Sequence, residues 1–175
     1  NSFVSKHNQT ESDVEKMSYM SAHNLQVYSG MIAALDRSVG KIVKKLKDLD
    51  IYGRTLIIFT SDNGGANYIE LEDINKPFRG WKISFFEGGI RVPFIVSWPD
   101  KIDSGIKFDQ PVHHFDIFST IAAAAQTSIP TDRKIDGINL LPFIKSDISY
   151  NPHETLFWRS GNHQAVMHEE WKYII

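Results

Sequence analysis

The run Thr55-Leu-Ile-Ile-Phe-Thr-Ser-Asp-Asn-Gly-Gly65 constrains the fold more than any other stretch of this chain. Leu56 to Phe59 form a short apolar run, mostly β-branched or aromatic, that stops at polar residues and predicts a buried strand over 55–60. A carboxylate and a carboxamide, Asp62 and Asn63, follow at once, and then two glycines. In parallel α/β sheets, ligands bind in the crevice at the carboxyl ends of strands. Two hard oxygen donors delivered side by side at such a point suit Ca²⁺ or Mg²⁺, while Gly64 and Gly65 permit a sharp turn away. The same residues, taken alone, also fit an Asx-turn closing a strand, with Asp62 capping the next segment.

On either side of this run the pattern alternates. Leu25, Tyr28, Met31, Ile32, Leu35, Val39, Ile42, Val43, Leu46 and Leu49 recur at helical spacing and predict a long amphipathic helix from Ala22 to about Asp50. Lys41, Lys44, Lys45 and Lys47 gather toward its C-terminal end, where cations complement the helix dipole. Residues 66–81 read as irregular. Ile90 to Trp98 reads as a second strand ended by Pro99, and 100–107 as a polar turn. Asp116 to Ala125 reads as a short Ala-rich buried helix with Asp116 placed to cap it, and Leu140 to Ile144 as a turn or short helix. Such alternation argues for an α/β parallel sheet. The end differs: Leu156–Arg159, Gln164–His168 and Trp171–Ile175 are three strand-like runs separated by Gly161-Asn162 and Glu169-Glu170, which predicts antiparallel hairpins. We therefore divide the chain into 1–150, an α/β portion, and 151–175, the start of a small antiparallel subdomain.

Composition narrows the function classes. The net charge of −2 offers no basic excess for nucleic acid, and no long uninterrupted apolar run reads as a membrane span. Cysteine is absent, so there is no disulfide, thiolate metal site or cysteine nucleophile. Residues 1 to about 20 are polar and read as a loop or weak helix. They include a formal glycosylation acceptor, Asn8-Gln9-Thr10, and a chain start without Met that reads as cut from something longer.

Phe78-Arg-Gly-Trp-Lys82 and Phe86-Glu-Gly-Gly-Ile-Arg-Val-Pro93 place a lysine and two arginines around a turn and a Gly-Gly pair expected to open a strand. Lys82, near a metal held by carboxylates, could neutralise charge developing on an oxyanion during ester cleavage. It also fits a solvated surface lysine. Arg79, Glu87 and Arg91 fit either support of the site or an ion-pair network that positions the loop.

In order, Leu35-Asp-Arg-Ser-Val-Gly40, Arg54 to Gly65, Phe78 to Lys82 and Phe86 to Pro93 resemble the type I sulfatases. Trp98-Pro99, His114 to Thr120, Asp136 to Leu140 and Glu170 to Tyr173 extend the resemblance from Tyr28 onward. It implies an alkaline-phosphatase-like α/β sheet flanked by helices, with a small C-terminal antiparallel sheet, and hydrolysis of a sulfate ester on a small molecule or carbohydrate. It further implies that Asp62 and Asn63 bind Ca²⁺ and that Lys82 is catalytic and contacts the sulfate. The nucleophile would be a formylglycine made from a Cys/Ser-x-Pro-x-Arg motif, in a periplasmic, secreted or lysosomal enzyme.

The nucleophile segment is absent from the chain. Ser128-Ile129-Pro130-Thr131-Asp132 has Asp where the motif needs Arg and is read as coincidence. His7 is the one histidine at a position suited to catalysis, but it lacks the following proline of the family pattern. The expectation is a C-terminal sulfatase portion, inactive by itself, whose oligomeric state the sequence does not give. Two alternatives stay open. One is a phosphoester or phosphonate hydrolase of the same superfamily, and the other is a non-catalytic binding module that keeps the fold.

Overall fold

A computed structural model of the 175-residue chain describes residues 19–71, 73–145, 148 and 150–175. The polar leader, His7 and the Asn8–Thr10 acceptor lie outside the described residues. Along the chain come α1 (Tyr19–Asp48), β1 (Ile57–Thr60), α2 (Glu87–Ile90), β2 (Phe94–Ser97), α3 (Asp116–Ala124), α4 (Leu141–Ile144), β3 (Thr155–Ser160), β4 (His163–His168) and β5 (Trp171–Ile174). They fall into two compact units. The first holds the described residues up to Ile51 together with Thr60–Phe94, and the second holds Tyr52–Phe59 together with Ile95–Ile175.

In the first unit, α1 runs for 30 residues with Lys45 and Lys47 in its last turn. Its end is a Schellman arrangement: Ile51 N–H donates to the Leu46 carbonyl (3.0 Å) and Asp50 N–H to the Lys47 carbonyl (3.0 Å). Asp50, at φ 54°, takes the left-handed position that glycine usually fills. The apolar stripe expected on α1 is present, yet Met31, Leu35 and Ile42 are exposed and only Ser29 is buried. A stripe is buried only when another layer faces it, and the described residues supply none over this face. Asn24 Nδ2 donates to the Ile69 carbonyl (3.0 Å) and fastens the helix to a single 3₁₀ turn, Asn67–Ile69.

One expected element changes type. Ile90 was expected inside a strand running to Trp98, but the strand begins at Phe94, and Glu87–Ile90 is one helical turn closed by Arg91 N–H on the Glu87 carbonyl (2.8 Å). Pro93, without an N–H, cannot extend the ladder toward Ile90. β1 and β2 are neighbours in a two-stranded sheet.

The second unit has its core at Leu140, Leu141, Phe143, Ile144, Leu156 and Ala165. β3, β4 and β5 form an antiparallel sheet in which Trp158 faces Ala165, Ala165 faces Ile174, and Phe157, Val166 and Tyr173 line one cross-strand row. Because side chains alternate, Leu156, Trp158 and Ala165 share the inward face, while Phe157 and Tyr173 share an exposed one. The hairpins turn at Gly161 (φ 58°) and Glu169 (φ 51°), as the two-residue separators predict.

Asp116 does not cap α3. The cap position belongs to Phe115 and carries no side-chain bond, while Asp116 is the first helical residue and is fully buried. Its carboxylate accepts the His113 N–H (2.8 Å) on Oδ2 and the Ile138 N–H (3.0 Å) on Oδ1. One turn on, Ser119 Oγ donates to the Gly137 carbonyl (2.7 Å), and Thr120 Oγ1 accepts the Leu140 N–H (3.0 Å). Three polar side chains on one helical face thus stitch the segment 137–140 to α3 by satisfying backbone groups of Gly137, Ile138 and Leu140.

Candidate active site

Three chain segments of the first unit are held together chiefly through their backbones. Gly64 N–H donates to the Gly89 carbonyl (2.9 Å), Lys82 N–H to the Gly65 carbonyl (3.0 Å), and Gly88 N–H to the Arg79 carbonyl (2.7 Å). The contacts are so close that glycine is required. A Cβ on Gly64 would overlap the Gly88 carbonyl oxygen, and one on Gly88 would overlap the Gly80 carbonyl. Asn75 completes the clamp. Its Oδ1 accepts the Gly65 N–H (2.7 Å), and its Nδ2 donates to the carbonyls of Gly65 (3.0 Å) and Gly80 (3.1 Å).

The strand end thereby brings the Asp62–Gly65 turn against the segment that carries Lys82. Asp62 is exposed, and its Oδ1 accepts only the Asn63 N–H (3.0 Å) among the described residues. Asn63 donates its Nδ2 to the Gly64 carbonyl (3.0 Å), and Ser61 Oγ donates to the Asn63 carbonyl (2.8 Å). This leaves Asp62 Oδ2 and Asn63 Oδ1 without hydrogen-bond partners among the described residues, a pair of hard oxygens that suits a divalent cation. Among the described residues no group of three His, Asp or Glu side chains is gathered as a complete metal site. Lys82 is half-buried as a residue, and its ammonium enters no ion pair among the described residues.

The residues expected as supports are placed by weaker contacts. Arg91 lies 3.6 Å from Glu87 with both side chains substantially exposed, a geometry worth roughly 0–1 kcal/mol. The guanidinium of Arg79 sits 4.1 Å from the Phe86 ring centroid and that of Arg91 4.9 Å from the Phe78 ring. Asn75 went unnoticed in the sequence because it lies ten residues from the backbone it clamps, and no local pattern marks such a contact.

A second polar cluster lies in the other unit. His153 Nε2 stands 2.9 and 2.8 Å from the two oxygens of Asp116, with its side chain 9% exposed. The His113 ring stacks on Phe115 at 4.0 Å, and its pKa is pushed below the ordinary 6.5. Burial is the main cause, His114 and His153 add to it, and Asp116 opposes it. His113 and His114 immediately precede α3, and their rings meet edge to face at 6.0 Å. The sequence singled out none of the three C-terminal histidines. His153 could have been found only through its partner, 37 residues away.

Residues 1–127 match the family model described as Sulfatase. Human steryl-sulfatase is 40% identical over 138 residues, covering 75% of this chain and 24% of that protein. Human N-acetylgalactosamine-6-sulfatase is 40% identical over 117 residues, covering 66% and 22%. Among solved structures, Ps i-CgsB in complex with k-i-k-neocarrahexaose superposes with a TM-score of 0.76 at 34% identity, covering 91% of this chain and 35% of that one. The phosphonate monoester hydrolase of Agrobacterium radiobacter superposes with a TM-score of 0.68 at 25% identity, covering 95% and 34%. The chain spans about a quarter of the length of the curated relatives it matches. The mixed helices and strands and the three-stranded terminal sheet are those of the alkaline-phosphatase-like fold of these neighbours. By the family match and the identity to its relatives, the chain belongs to the sulfatase family.

Proposed function

We propose that the whole protein is a sulfuric ester hydrolase in which Asp62 and Asn63 supply two oxygen ligands to a Ca²⁺ ion and Lys82 binds the sulfate. The observation that carries this reading is the backbone clamp from Gly64 to Gly89 and from Gly65 to Lys82, which fixes the oxygen donors and the lysine-bearing segment to each other. The donor set fits the ion in chemistry, since both ligands are hard oxygens free of competing bonds. It is incomplete in number, because Ca²⁺ takes six to eight oxygens. The remaining ligands and the formylglycine nucleophile belong, on this reading, to other parts of the whole protein, because no Cys/Ser-x-Pro-x-Arg motif occurs in the chain. When bound, Ca²⁺ would supply positive charge toward the sulfate oxygens. Lys82 presents up to three N–H donors and a full charge to the same anion, and the clamp keeps it from reorganising as charge develops. Relatives named for steryl and N-acetylgalactosamine-6-sulfate esters support a sulfated small molecule or carbohydrate as substrate. A periplasmic, secreted or lysosomal location and a boundary near residue 150 belong to the same reading. No helix among the described residues is long and apolar enough to cross a membrane.

Full-length enzyme assayed with 4-nitrophenyl sulfate and with a phenylphosphonate monoester tests the assignment. Preference for the sulfate supports it. Preference for the phosphonate moves the protein to the second reading, which the structural likeness to a phosphonate monoester hydrolase favours. Calorimetry on Asp62→Ala is expected to show weakened Ca²⁺ binding, and unchanged affinity would remove Asp62 from the site.

A further inference from the structure

The turn that carries Lys82 holds a residue its backbone disfavours. Ser84 N–H donates to the Trp81 carbonyl (3.0 Å), Ser84 Oγ donates to the same carbonyl (2.7 Å), and Trp81 N–H donates to Ser84 Oγ (3.1 Å). Lys82 and Ile83 are therefore the two central residues of a tightly closed turn. Ile83 has φ 83°, the value of the third position of a type II turn, where glycine or asparagine normally stands. Among the described residues four other non-glycines have positive φ, namely Asp50, Glu70, Gln126 and Glu169, all between 51° and 57° and none branched at Cβ. Ile83 alone is β-branched, and for such a residue positive φ is a genuine outlier.

Strain of this kind persists where something compensates for it, and it gathers at functional sites. Packing within the described residues does not compensate here, because Ile83 is 73% exposed. Trp81, its neighbour across Lys82, is 47% exposed. Two large exposed apolar residues thus adjoin, in the turn, the residue that carries its one cation, a combination suited to an anionic head joined to an apolar ring.

We propose that Ile83 is a specificity-determining residue that contacts the apolar face of the ring bearing the sulfate, with Trp81 on the other side of Lys82. This rests on the reading of Lys82 as the sulfate-binding lysine. Inorganic sulfate has a head and no ring, so it separates the contact from the head site. In full-length enzyme, Ile83→Gly is expected to raise KM for 4-nitrophenyl sulfate about tenfold with kcat little changed, the signature of lost uniform binding. The inhibition constant of inorganic sulfate and the Tm should not worsen, because glycine relaxes the turn. Ile83→Val, which keeps an apolar branched side chain, should retain most of the wild-type KM. An unchanged KM in Ile83→Gly overturns the contact while leaving the sulfatase reading intact. Equal weakening of KM and of sulfate inhibition also overturns it, by showing that the variant disturbs the head site. Wild-type enzyme inactive on every sulfate ester overturns both the reading and the contact.

Discussion

Around Lys82 the contacts that fix the chain are made mainly by backbone, whereas around Asp116 they are made by side chains. Gly64, Gly88 and Gly89 bring three segments so close that a Cβ would meet backbone, and the clamp they form with Asn75 leaves Asp62 Oδ2, Asn63 Oδ1 and the Lys82 ammonium without partners among the described residues. Asp116, Ser119, Thr120 and His153 are consumed by one another and by neighbouring amides, and Asp116 has no exposed surface at all. The first design keeps polar side chains available to a ligand. The second satisfies buried backbone at the cost of any further chemistry. Perturbed or paired titratable groups are therefore not by themselves the mark of a catalytic site here.

The comparison breaks most visibly at His153. His153→Ala leaves the Asp116 carboxylate buried with two amide donors and no cationic or imidazole partner, and removing one member of a buried pair costs about 3–5 kcal/mol. Chemical denaturation should show a loss of that order, and a loss below about 1 kcal/mol would mean the pair is not a structural knot. Lys82→Ala should do the reverse. The stability change should stay within about 0.5 kcal/mol, while kcat of the full-length enzyme falls by about 10²–10³. A variant that melts early but turns over normally would invert the two regions' roles.

Gly64→Ala sharpens the contrast, because its Cβ meets the rigid Gly88 carbonyl instead of a flexible side chain. Overpacking of this kind costs about 1–3 kcal/mol, and activity should fall with it as the Gly64–Gly89 bond is lost. Full activity in Gly64→Ala would show that the clamp does not position the site.

The smallest expected effect is on pH dependence. With the His113 pKa lowered in the fold, the unfolded chain binds more protons below about 6.5. Stability should therefore decline as pH falls through 6.5 toward the folded-state value and be level above it. His113→Phe, which keeps a ring on Phe115, should flatten that part of a Tm-against-pH curve. An unaltered slope would assign the acid sensitivity to other groups.

Much of the fold was legible because its signals are local. The long helix, β1 and the three terminal strands follow from side-chain period and turn residues within a few positions of each other. β2 came out shorter than its apolar run, since Pro93 and the helical turn Glu87–Ile90 override strand propensity from Ile90 to Pro93. Of the candidate site, Asp62, Asn63 and Lys82 stand out in the sequence by residue type and order. Asn75 and the Asp116–His153 pair do not, because each acts on groups 10 to 37 residues away.

By itself, then, the sequence determined the local elements and the ordered motifs that mark a sulfatase, because period, turn chemistry and motif spacing are written in adjacent residues. Only the tertiary structure decided which glycines are irreplaceable, which polar side chains are spent on packing, and that Ile83 sits in a conformation glycine would prefer. Those outcomes depend on which backbone atoms meet across the fold, and such close approaches have no counterpart in the order of residues along a chain.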